Sequence, residues 1–137
     1  MSKKAFIRHK LVLEYEDQEG LSKELISRYC EREVDDLTGF QDFKHSVPSS
    51  YALIDLGDID LSTYGAKLVI ENLDDSNAVI VADTTTGDEL GYAVPKTGDG
   101  QVMACEITLC PGAAPAWKVA SGTSARVHCV IVPLGTN

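Results

Sequence analysis

Residues 66–82 read AKLVIENLDDSNAVIVA and decide the fold. Over Ala66–Leu73 apolar and polar residues alternate, which is the period of a strand with one buried face. Leu73–Asn77 is rich in side chains that hydrogen-bond their own backbone in turns. Ala78–Ala82 is apolar at every position, as is typical of a central strand covered on both faces. The stretch therefore predicts two buried strands joined by a turn.

The same pattern extends along the chain. Alternation recurs in three further segments: Ala5–Tyr15, Val102–Leu109 and Ala125–Pro133. Turn signals separate the apolar runs, at Thr84–Asp88, Lys96–Gly100 and Cys110–Gly112. Turns about every 10 residues are typical of a β-sandwich or jelly roll. We predict an all-β protein, an antiparallel β-sandwich of jelly-roll type, with six or seven short strands from Ser49 to the end.

Residues 21–43 allow two interpretations. Ile26–Val34 alternates with the strand period, which favours a strand. Apolar residues at helical spacing follow Ser22, a suitable N-cap, so a short helix around residues 21–30 is the alternative.

The length of 137 residues predicts one domain, because single cores typically organise roughly 100–200 residues. Within it we expect N-terminal strands or an arm at residues 1–48 and the main sandwich at 49–137, with Val47–Ser50 as the turn between them. No apolar run approaches the roughly 18 residues that cross a bilayer, and no apolar signal segment follows the charged start. We expect a soluble protein made in the cytoplasm.

The charge is acidic and unevenly distributed. The net charge is -9; residues 1–48 hold 8 basic and 10 acidic side chains, whereas residues 49–137 hold 4 and 11. Such a surface repels phosphate backbones and anionic lipids. We therefore expect neither nucleic acid nor membrane as a partner.

No constellation of residues predicts catalysis. Ser121–Ala125 lacks the GxSxG elbow of a nucleophilic serine, and the three histidines show no spacing that suggests a triad. Gly98-Asp99-Gly100 has an acid at its centre and precedes a strand, so it does not suit a phosphate. We expect a protein that is not an enzyme, with no catalytic or cofactor-binding residues.

Acidic residues cluster at Asp55, Asp58 and Asp60 and again at Asp74–Asp75. An EF-hand that starts at Asp58 would need Gly at position six and Glu at position twelve, where this chain has Thr63 and Val69. We expect solvated turn acids and assign no metal ligands; a loose calcium loop is the alternative.

The four cysteines form no CxxC pair; they are Cys30, Cys105, Cys110 and Cys129. Without a signal peptide, we expect reduced, buried and inert thiols.

The aromatic residues leave a binding role open. Rings that could stack on sugars are Trp117, Tyr51, Tyr64 and Tyr92. Core or interface packing is the favoured role, with the Trp117 ring in the core.

Several motifs resemble a known class of proteins. Residues 46–60 read SVPSSYALIDLGDID, residues 66–74 read AKLVIENLD, and residues 76–81 read SNAVIV. A Leu-x-Pro-Gly turn at Leu109–Gly112 and a closing strand at Ala125–Val132 follow. Over Ser46–Val132 the pattern resembles small all-β virion structural proteins of tailed bacteriophages, of the decoration (cement) or tail-associated type.

The resemblance implies a non-enzymatic structural component of a bacteriophage particle, located in the virion. The first expectation is a capsid decoration protein that binds the major capsid protein or neighbouring virion proteins. The second is a tail, neck or baseplate component. The alternative of another class is a carbohydrate- or receptor-binding β-sandwich module. An assembly protein of this kind is expected to be a homo-oligomer, for example a trimer, with the N-terminal region as an arm.

Overall fold

The computed structural model describes residues 5–34, 40–95 and 104–134. Within these ranges the chain forms ten β-strands and no helix. The strands are β1 (Ala5–Glu16), β2 (Ser22–Val34), β3 (Gln41–Val47), β4 (Ala52–Leu53), β5 (Ala66–Asn72), β6 (Val79–Asp83), β7 (Asp88–Ala93), β8 (Ala104–Leu109), β9 (Pro115–Val119) and β10 (Ala125–Pro133). The all-β prediction is confirmed. The predicted Lys96–Gly100 turn and the Gly98-Asp99-Gly100 motif lie outside the described residues.

The chain divides into two compact units, Met1–Leu37 and Thr38–Asn137. In the first unit β1 and β2 pair antiparallel from Ala5↔Val34 to Glu16↔Ser22. The turn between them is tied by Asp17, whose Oδ1 accepts hydrogen bonds from the amides of Glu19 and Leu21, each at 2.9 Å. The helix alternative for residues 21–30 is therefore wrong, because β1 supplies hydrogen-bond partners along the whole of this segment.

The second unit contains two four-stranded sheets. Their strand orders are β3-β10-β5-β8 and β4-β9-β6-β7. The antiparallel pairs are nested: β6 with β7, β5 with β8, β4 with β9 and β3 with β10. The unit is thus one long hairpin wound into two sheets, which is the arrangement of an eight-stranded jelly roll. Seven of its strands lie after Ser49, as expected.

The position of β3 differs from the expected division at residue 48. β3 pairs with β10 along Gln41–Val47, and the Val47 side chain is fully buried in the core of the sandwich. The inner face of β10 is apolar at every other position and is completed by a neighbour on each side, β3 and β5. β3 therefore belongs to the sandwich, and Val47–Ser50 connects its two sheets.

The core of the sandwich lies between the sheets and follows the predicted alternation. The predicted inward residues of β5 are Ala66, Leu68 and Ile70, and all three are fully buried. Inward residues of β10, including Val127 and Cys129, are fully buried as well. Ile80 of β6 is only half-buried, so this strand is less covered on its outer side than its all-apolar sequence predicts.

Two buried polar side chains hold the loops of the sandwich. Asn72 Nδ2 donates to the carbonyls of Asn77 (2.9 Å) and Ala93 (3.0 Å), and Asn72 Oδ1 accepts from the amide of Asp74 (2.9 Å). Asp83 Oδ1 accepts from the Thr85 amide, the Ala114 amide and the Thr85 hydroxyl. These hydrogen bonds lower the pKa of Asp83 below its ordinary value, and the bond from the Thr85 amide has the largest effect.

No helix that could span a membrane is present in the part of the chain that the structure describes.

Candidate functional site

The clustered acids are engaged in turns. Asp55 Oδ1 and Asp60 Oδ1 accept from the amides of Gly57 and Ser62, each at 2.8 Å. Asp74 Oδ2 accepts from the amide of Ser76 at 3.0 Å. Across residues 5–34, 40–95 and 104–134 no three His, Cys, Asp or Glu side chains come together as metal ligands. The geometry gives these carboxylates a role in shaping loops.

The cysteines divide by environment, and all four are free thiols. Cys129 is buried, and burial, together with the charge of Asp42, raises its thiol pKa to about 12. Cys105 is half-buried, and its thiol pKa is also raised by burial. Cys30 and Cys110 are exposed, so the prediction of buried thiols is wrong for these two. Cys30 lies in the hairpin, where no core exists to bury it.

Trp117 is a core residue. Its ring is 1% exposed, lies edge-on to Phe43 with centroids 6.2 Å apart, and stacks on His45 at 5.5 Å. The prediction of a core role is confirmed, and a ring in this position cannot stack on a sugar. The tyrosines Tyr51, Tyr64 and Tyr92 are exposed.

The outer face of the β4-β9-β6-β7 sheet carries an apolar surface. We call it the outer patch and define it by Tyr51, Leu53, Ile80, Tyr92 and Lys118. The register sets Ile80 beside Lys118 and Tyr92, and the Lys118 Nζ lies 4.8 Å from the centre of the Tyr51 ring. Leu53 and Tyr92 are 68% and 65% exposed, so the sandwich presents large apolar side chains to its surroundings.

The hairpin β1–β2 carries more exposed large apolar side chains than any other element described. Nine of its large apolar side chains are 40–61% exposed: Phe6, Leu11, Val12, Leu13, Tyr15, Leu21, Leu25, Ile26 and Tyr29. They are spread over both strands and both sides of the hairpin. A solvated β-hairpin normally keeps such residues to one face and covers that face. This hairpin is therefore the strongest candidate for an interaction site.

The register assigns the side chains to two faces, because directly paired residues share a face and successive pairs alternate. The basic face consists of Ile7, His9, Leu11, Leu13, Tyr15, Lys23, Ile26, Arg28, Cys30 and Arg32. The acidic face consists of Phe6, Arg8, Lys10, Val12, Glu14, Glu16, Ser22, Glu24, Ser27, Tyr29, Glu31 and Glu33. Leu25 is the extra residue of a bulge opposite Leu13 and Glu14 and belongs to neither set.

The two faces differ in charge. The basic face has three cations (Lys23, Arg28 and Arg32) and no carboxylate, a net +3 with His9 neutral. The acidic face has five glutamates against Arg8 and Lys10, a net -3. On the acidic face Arg8 Nε lies 3.2 Å from Glu31 Oε2, which also accepts from the Tyr29 hydroxyl at 3.1 Å. The Tyr29 contact with Glu31 raises the pKa of Tyr29.

Sequence reasoning noted the alternation in β1 but missed this division of charge. The signal was in Arg28 and Arg32, which alternate with Glu31 and Glu33. This alternation assigns charges to the two faces of the hairpin only when the pairing of β2 with β1 is known.

No family model matches this sequence, and no curated protein matches it. Among solved structures, the Drosophila NLP core is similar to this chain; its crystal structure is described as providing insight into pentamer formation and histone binding. The TM-score is 0.42 at 12% identity, over 71% of this chain and 99% of that chain. At this level the likeness assigns neither a partner nor a subunit number to this chain.

The comparisons correct the prediction of a bacteriophage particle component. The similar structure belongs to a histone-binding pentamer core, and none of the comparisons indicates a capsid decoration, tail, neck or baseplate protein, or a major capsid protein as partner. The motifs that suggested a virion protein have a local explanation. The Asp55–Gly57 and Asn72–Asn77 segments are hydrogen-bonded turns, which unrelated β-sandwiches also use.

Proposed function

We propose that this protein is a non-catalytic assembly module that associates with copies of itself through the hairpin β1–β2. The observation that carries the proposal is the exposure of nine large apolar side chains in a β-hairpin, eight on its strands and Leu21 in its turn. A two-stranded hairpin is at best marginally stable in water. Full burial of one large apolar side chain contributes about 1.5–3 kcal/mol, so a neighbouring copy that covers the hairpin also stabilises it.

The charges support a second copy as the partner. The whole chain carries a net charge of -9, yet the charged side chains on one hairpin face are all cations. A copy of the chain offers a surface of opposite charge to that face, and complementary charge favours correct encounter.

Side chains that often perform acid–base chemistry have other uses in this fold. Asp83 is held by loop hydrogen bonds, His45 stacks on Trp117, and Cys129 is a buried thiol with a pKa of about 12. These uses support a role without catalysis.

Leu13→Ser is expected to weaken self-association about 10- to 30-fold, because it removes one large apolar side chain from the contact at a cost of about 2 kcal/mol. Sedimentation velocity over a wide concentration series measures this change. The matched control is Leu73→Ser in the sandwich, since Leu73 and Leu13 are similarly exposed, at 43% and 49%. A wild-type chain that remains a monomer throughout the series would contradict the proposed function, as would equal effects of the two substitutions.

A further inference from the structure

We propose that the hairpins of successive copies stack head-to-tail, with the basic face of one hairpin against the acidic face of the next. The inference rests on the proposed function and names the geometry of its contact. It concerns hairpin residues alone, and the occupant of each face is a second copy of this chain.

Charge selects this arrangement over a symmetric pair. In a two-fold dimer whose hairpins pack face to face, each face meets its own kind, so a net +3 would oppose +3 or a net -3 would oppose -3. In a head-to-tail stack +3 opposes -3 at every joint. Like charges across an interface cost several kcal/mol, whereas complementary charges fix register and orientation.

Apolar coverage favours the same arrangement. Of the exposed apolar side chains that the register assigns, four lie on the basic face and three on the acidic face; they are Leu11, Leu13, Tyr15 and Ile26, and Phe6, Val12 and Tyr29. A symmetric pair covers one face and leaves the other in water. A hairpin between two neighbours has both faces covered, which accounts for apolar residues on both.

The centres of the faces are also compatible. On the basic face Leu13 pairs with Ile26 and Leu11 pairs with Arg28, so one apolar row lies beside a row that contains a cation. On the acidic face Val12 and Tyr29 occupy neighbouring rows near the middle of the hairpin. Each face therefore offers an apolar centre flanked by charge, which is the general anatomy of a protein interface.

The area of one joint between hairpins indicates how strong that joint is. A strand of 12 residues is about 40 Å long, and two strands about 10 Å wide give roughly 400 Å² for each face. One joint then covers about 800 Å² in total, less than the 1,200 Å² or so of a stable interface. This is the area of a weak interface, and each inner hairpin of the stack takes part in two such joints.

Charge reversal tests the stack. Lys23→Glu with Arg28→Glu changes the basic face from +3 to -1, and Glu14→Lys with Glu24→Lys changes the acidic face from -3 to +1. Sedimentation velocity is expected to show at least tenfold weaker association for each double variant. The quadruple variant, with faces of opposite sign again, is expected to regain association. Asp58→Lys, an exposed acid of the sandwich, is the control and should leave association unchanged.

The outcomes separate the two proposals. If either pair of reversals strengthens association or has no effect, basic and acidic faces do not meet at every joint, so the stack is wrong and self-assembly stands. If the folded quadruple variant remains dissociated, the stack is wrong as well. If the wild-type chain is a monomer, the proposed function itself fails.

A disulfide experiment gives the same answer without altering charge. Cys30 is exposed on the basic face, and Ser27→Cys adds a thiol to the acidic face; both are tested in a Cys110→Ser background. With diamide as the oxidant, the stack predicts a ladder of covalent dimers, trimers and larger species that only the Ser27→Cys chain forms. Covalent dimers from the Cys110→Ser chain alone would show Cys30 meeting Cys30 and would overturn the stack.

Discussion

Trp117→Ala is expected to lower the free energy of unfolding by about 3–5 kcal/mol, the cost of emptying a large aromatic site in a core. The ring is 1% exposed and contacts Phe43 and His45 of β3 from β9, so it joins the two sheets. Its removal leaves a cavity that the paired strands on either side of β9 cannot close. Because Trp117 is the only tryptophan, urea denaturation should be followed by far-UV circular dichroism.

Tyr64→Ala serves as the control, since Tyr64 is exposed and its truncation should change the free energy of unfolding by no more than about 0.5 kcal/mol. A loss below about 1 kcal/mol for Trp117→Ala would show that the ring does not lie in the core. It would also revive a surface role for Trp117.

Asn72→Ala is expected to destabilise the sandwich by about 2–4 kcal/mol, because it leaves buried or half-buried backbone groups without partners. Those groups are the carbonyls of Asn77 and Ala93 and the amide of Asp74. The bond to Ala93 links the end of β5 in one sheet to the end of β7 in the other. The same urea titration measures the loss.

Asn77→Ala is the matched control for Asn72→Ala. The Asn77 Nδ2 makes one exposed hydrogen bond, to the carbonyl of Ser124 at 3.1 Å, so its removal should cost at most about 1 kcal/mol. Equal losses for the two asparagines would mean that Asn72 does not hold the sheets together.

The fold class could be predicted because a strand with one buried face has apolar residues at every second position. Ala66, Leu68 and Ile70 alternate with polar or half-covered neighbours, and the structure buries all three completely. Val127 and Cys129 follow the same rule in β10. One face of each strand packs against the core, so apolar residues recur every two positions, as buried side chains do.

The membership of β3 could not be predicted, because it depends on pairing between distant segments. Val47 is a core residue through its partner Ala125, which lies far along the chain. The alternation in Ala5–Tyr15 was predicted to mark a half-buried strand, yet both faces of β1 are exposed. Apolar residues in a sequence indicate that a strand has a face to bury, but they do not identify the segment or partner that covers it.

The function that the motif resemblance implied could not be inferred safely for a related reason. The Asp55–Gly57 and Asn72–Asn77 segments have sequences that their turns require, with Gly57 in a positive-φ conformation and Asn72 bonded to the amide of Asp74. Unrelated β-sandwiches share these requirements, so the residues indicate the conformation of the turn and do not indicate the function of the protein.

The most direct test of the central claim is amide hydrogen exchange of the hairpin as a function of protein concentration. If copies cover β1 and β2, protection of amides within Ile7–Leu13 and Ile26–Glu33 should increase steeply with concentration, because assembly stabilises the hairpin. Amides of β5, held in the core of the sandwich, should show little dependence and serve as the internal reference. Fast exchange in both hairpin strands at every concentration would contradict assembly through the hairpin.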